Sequence, residues 1–154
     1  MKKTLGTLFV LFFAVVGFQA REATPADLGI KGLMGENFGR VQQILVDLVR
    51  SDYKTVPHDV AIIEQHAAEL PTLVPTEAET NRELFLSLAY NLRTQAKNLR
   101  TVVETLIQRD GTAGGTAKGQ LGIDYLRTTA AAHFGHLVTT CVACHNQFRR
   151  TAGP

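Results

Sequence analysis

Apolar residues recur at alternating spacings of three and four in four separate stretches of the chain, the pattern of amphipathic helices that each bury one face. The first stretch carries Met34, Phe38, Val41, Leu45 and Leu48. It is predicted to open at Thr24-Pro25, a capping residue followed by a proline suited to the first helical position, with Asp27 in the first turn. The second is shorter, with Val60, Ile63, Ala67 and Leu70, entered at Pro57 and stopped by Pro71. The third runs Phe85, Ala89, Leu92, Ala96, Leu99, Val103 and Leu106, and Thr76 with Glu79 predicts a capping box ahead of it. The fourth carries Leu126, Ala130, Phe134, Leu137, Cys141, Cys144 and Phe148, so two cysteines fall on its buried seam.

The connections at residues 51–56 and 71–76 are short, which predicts antiparallel neighbours. The stretch Gly111 to Gly119 reads as one longer, flexible loop. Gly114-Gly115 follows no strand pattern and no G-K-[ST] signature accompanies it, so it reads as a linker and not as a phosphate cradle. The predicted fold class is all-α, an antiparallel four-helix bundle.

The N-terminus adds a compartment. Lys2 and Lys3 precede an apolar run from Leu5 to Val16, and the small residue Ala20 follows. This is the layout of a signal peptide over residues 1–20, with a single domain over 21–154. The run is shorter than the ~20 residues of a membrane span, and no cysteine follows it to carry a lipid, so no stable membrane anchor is expected. Removal of residues 1–20 leaves 14 Lys plus Arg against 14 Asp plus Glu, a balance that excludes nucleic acid as the expected partner.

The chemistry lies near the C-terminus, in Cys141-Val142-Ala143-Cys144-His145. C-x-x-C-H is the spacing by which c-type haem is attached. On a helix the two thiols lie one turn apart, where they can form thioethers with two vinyl groups of one porphyrin, and the adjacent imidazole can reach the iron. A dithiol redox pair expects a βαβ context, and a structural zinc needs a second pair of ligands, whereas the chain has no further cysteine. Cys141 and Cys144 are therefore expected to anchor one covalent haem c, with His145 as proximal ligand. An exported chain fits that cofactor, because haem c is attached after export.

Nine residues follow His145, none a methionine, so a sixth ligand is expected from an earlier helix or not at all. Met34 is the one methionine left beyond the signal. His58 and His66 lie off the seam of the second helix and read as surface residues. His133 and His136 share a helix with His145 and cannot reach the opposite haem face. Arg93, Lys97 and Arg100 read as a solvated face suited to docking a redox partner.

The ending Cys141-Val-Ala-Cys144-His145-Asn-Gln-Phe148-Arg149 resembles the pattern C-x-x-C-H-x-x-[FY]-R of the class II c-type cytochromes, cytochrome c′ and its low-spin relatives. Leu33-Met34-Gly-Glu-Asn-Phe38-Gly39-Arg40 in the first helix and Phe134-Gly135 before the motif are similar too. The resemblance implies a left-handed bundle around one haem, a frequent antiparallel homodimer, and an Arg149 that sits beside the proximal histidine. It also places Lys31 where cytochrome c′ usually carries an apolar distal residue. Lys31 has three readings: a stem on apolar surface with its ammonium in water or on a propionate, a bystander to Met34 ligation, or a ligand as the neutral amine. The expected function is electron transfer by a periplasmic monohaem cytochrome. The alternative is a five-coordinate protein that binds nitric oxide or another diatomic gas. No distal His and Arg pair suggests peroxidase-type catalysis, so no enzymatic activity is expected.

Overall fold

The computed structural model describes residues 25–110 and 117–148. Four helices pack against one another: α1 (Pro25–Arg50), α2 (Val56–Glu69), α3 (Arg82–Asp110) and α4 (Ala117–Phe148). Two short 3-10 turns, Leu70–Thr72 and Thr76–Asn81, link α2 to α3, and there is no strand among the described residues. The predicted signal segment lies outside the described residues, and no described helix is long and apolar enough to cross a membrane.

The spine is α3. All seven apolar residues of its predicted seam are buried, and with Val60, Ile63 and Ala67 of α2, Leu70 of the 3-10 turn after it, and Ala130 and Leu137 of α4 they form one continuous core. Pairings along the helices fix their directions. Phe85 at the start of α3 meets Phe148 at the end of α4, and Gly122 early in α4 lies by Arg109 late in α3. Across α1 and α2, Asn37 meets His66, Arg40 meets Asp59 and Asp47 meets Thr55, again antiparallel.

Local chemistry sets the turn between α1 and α2. Ser51 takes a left-handed φ of 58°, and the amides of Ser51 and Asp52 bond back to the carbonyls of Leu48 and Asp47, the paired bonds of a Schellman ending in which serine stands where glycine is common. Asp47 then accepts from the Thr55 hydroxyl at 2.7 Å, tying the end of one helix to the entry of the next. Pro57 occupies the first turn of α2, where its missing N–H costs nothing.

Several sequence expectations need correction. The buried face of α1 is Leu33, Asn37, Ile44 and Asp47, whereas Phe38 and Leu45 of the predicted seam are exposed. Two of the buried positions are polar, Asn37 bonding to His66 of α2 and Asp47 to Thr55 just before α2, so an apolar pattern alone selects a neighbouring face. Gly29 has φ 60° and ψ 175°, a conformation open to glycine, and it kinks α1, with helix on both sides of it. The Thr76 and Glu79 box does not form: residues 76–81 make a 3-10 turn with no side-chain cap, and Glu79 pairs with Arg82 at 3.2 Å. The glycine-rich connection is shorter than expected, because α4 begins at Ala117 and takes in Gly119. Arg100 does not belong to a purely solvated face; it pairs with Glu64 of α2 at 3.0 Å.

Candidate functional site

Helix α3 packs extensively on both α2 and α4, and α1 packs on α2, while α1 and α4 barely meet. The space left between α1 and α4 at one end of the bundle is a cleft of about 880 Å³, its open mouth included. Met34, Asn37, Phe38 and Val41 of α1 form one wall. Val138, Cys141, Cys144 and His145 of α4 face them, and Phe85, Ala89 and Leu92 of α3 form the floor. Phe38 lines this cleft while 65% exposed, which puts it at the mouth.

The motif residues meet on one side of α4 because their spacing matches the helix: Cys141 and His145 are four residues apart and Cys144 lies between them, all within about one turn. Both cysteines are half-buried against the core, and neither is in a disulfide. Burial pushes the Cys141 thiol up to about 11, with Cys144 adding to the effect, and burial also raises Cys144. Thiols held this way stay protonated at neutral pH, unlike the low-pKa thiolate of a dithiol oxidoreductase. Among the described residues, no group of three or more His, Cys, Asp or Glu side chains converges to hold a metal ion by itself.

A cleft with apolar walls, two thiols on one helical turn and an imidazole at its edge suits a flat, mostly apolar macrocycle attached through sulfur, so these residues fit haem c. Of the other residues singled out in the sequence, Met34 lines the wall opposite the motif. Lys31 is exposed and is not part of the lining. Arg149 lies outside the described residues. His58 and His136 are exposed, and half-buried His133 lies by Gln95, its Nδ1 at 3.3 Å from Oε1.

The site also holds a polar pair that the sequence reading missed. His66 is 4% exposed, not a surface residue, and its Nδ1 donates to Oδ1 of Asn37 at 2.7 Å. Its Nε2 lies 3.8 Å from Glu36, whose carboxylate is engaged by Arg40, and Arg40 reaches on to Asp59 at 2.8 Å. Asn37 Nδ2 is buried without a hydrogen-bond partner. The available signal was that Asn37 lies three residues after Met34 and four before Val41, on the same helical face.

No protein-family model matches the chain, and neither does any curated protein or any solved structure.

Proposed function

We propose that this chain is a monohaem c-type cytochrome of class II, exported to the periplasm and working there in electron transfer. The observation that carries this reading is the convergence of Cys141, Cys144 and His145 on one apolar cleft between α1, α3 and α4. When bound, haem c would supply a one-electron ferric–ferrous couple. Each thiol would add across one vinyl group, sulfur to one carbon and hydrogen to the other, with no net oxidation. His145, on the α4 side of the cleft, would hold the iron. The walls contributed by Phe85, Ala89, Leu92 and Val41 would exclude water and so keep reorganisation small. Met34, on the α1 wall, is the candidate sixth ligand.

A second reading has its own support. Asn37 offers an unused N–H beside Met34, a feature suited to a small exogenous ligand, so a five-coordinate protein that binds nitric oxide or another diatomic gas is the alternative. For partners, exposed Arg93 and Lys97 on α3 suit the docking of a redox protein, and exposed Leu45 and Val49 on α1 form a surface that a homodimer would cover.

The test is acid–acetone extraction of the purified protein. Wild type should retain its haem in the protein pellet, and a Cys141→Ala, Cys144→Ala double variant should release all of it. Release of haem by the wild type would overturn the proposal.

A further inference from the structure

The cleft is apolar on nearly every side, which makes its buried polar residue conspicuous. Asn37 stands on the α1 wall between Met34 and Val41 and is 5% exposed. An asparagine at a buried helical position is a poorer helix former than leucine and leaves polar atoms that must be satisfied. Half of its amide is satisfied: Oδ1 accepts from His66 at 2.7 Å. The other half is not, because Nδ2 finds no acceptor. A buried donor without a partner is costly unless something supplies the acceptor.

We infer that Asn37 is a hydrogen-bond donor to a small ligand held in the cleft beside Met34, a diatomic molecule or small anion with an exposed lone pair, and that His66 is the residue that orients its amide. The inference rests on the haem reading of the cleft.

The orientation follows from which His66 nitrogen carries the proton. Nε2 lies 3.8 Å from Glu36, beyond hydrogen-bond reach, whereas Nδ1 lies 2.7 Å from the Asn37 oxygen. A proton on Nδ1 points the amide oxygen at α2, and the N–H pair is then turned away from His66. The neighbouring charges do not compete for it, since Arg40, Glu36 and Asp59 are paired with one another. His66 itself does not line the cleft; it acts through Asn37. The opposite wall brings the motif cysteines and His145, so a small ligand held on the α1 side of the cleft would lie on the wall that carries Asn37, facing the motif. A fixed donor there costs no reorganisation when the ligand arrives.

Carbon monoxide bound to the reduced holoprotein is the probe. A donor aimed at its oxygen lowers the C–O stretch, so Asn37→Val should raise that frequency and weaken binding by about fivefold, the size of one hydrogen bond. His66→Phe should raise it in the same direction. Should Asn37→Val fold poorly, the wild type decides alone: its C–O stretch should shift between H₂O and D₂O. Haem-loaded protein whose stretch is insensitive to D₂O, or unmoved or lowered in Asn37→Val, would overturn the inference and leave the haem proposal standing. A purified chain with no covalent haem would overturn both.

Discussion

The ring of Phe148 meets the ring of Phe85 edge-on, with centroids 5.5 Å apart and planes inclined at 77°. Phe85 is fully buried in the first turn of α3, and Phe148 is the last residue of α4, three beyond His145. The contact therefore clamps the end of the helix that presents Cys141, Cys144 and His145 and resists fraying there. Phe85→Ala should cost about 3–5 kcal/mol of unfolding free energy, as for other buried phenylalanines. Phe148→Ala should cost about 1–2 kcal/mol, the loss of one aromatic pair and part of a side chain's burial. Urea unfolding of the two variants checks both, and equal costs would contradict the placement of Phe85 as core and Phe148 as clamp.

Adjacent residues of α1 should respond very differently. Ile44 is completely buried, while Leu45 is 49% exposed. Ile44→Ala should lose about 2–5 kcal/mol, and Leu45→Ala should stay within about 0.5 kcal/mol of wild type. A larger loss at Leu45 in the monomeric protein would restore the face expected from periodicity.

That pair shows what the sequence made legible. The seam of α3 was readable because all seven of its buried positions are apolar and α3 has neighbours along its length. In α1 the buried face includes Asn37 and Asp47, whose side chains bond to His66 of α2 and to Thr55 just before it, partners that no local pattern reveals. The thiols and imidazole were legible for the opposite reason: they sit within one helical turn, so spacing alone brings them together. Asn37 and His66 are 29 residues apart, and only the packing of α1 on α2 joins them.

Acidification should weaken the fold through His66. Burial holds its pKa below the ordinary 6.5; Glu36 opposes the shift and Arg40 adds to it. The unfolded chain then takes up the proton more readily than the folded one, so stability is lost as pH falls through 6.5 towards the lowered folded value and is regained as pH rises. Unfolding midpoints measured from about pH 7.5 to about pH 5.5 should fall less steeply in His66→Phe than in wild type. Parallel curves would contradict a neutral, buried His66.

Lys31 should prove a bystander. It is exposed, and the cleft lining begins with Met34 one turn later. Lys31→Ala should leave the ferric and ferrous visible spectra and the ferric EPR spectrum unchanged at neutral pH. Conversion of a low-spin spectrum to high-spin in that variant would make Lys31 a ligand.

The most direct test of the central claim is the mass of the tryptic peptide that carries Cys141 to His145, taken from protein purified from the exported fraction and left unreduced. The cleft and its motif predict one peptide heavier by a single haem, with neither thiol open to alkylation. A peptide of unmodified mass whose two cysteines both alkylate would contradict covalent haem at this site.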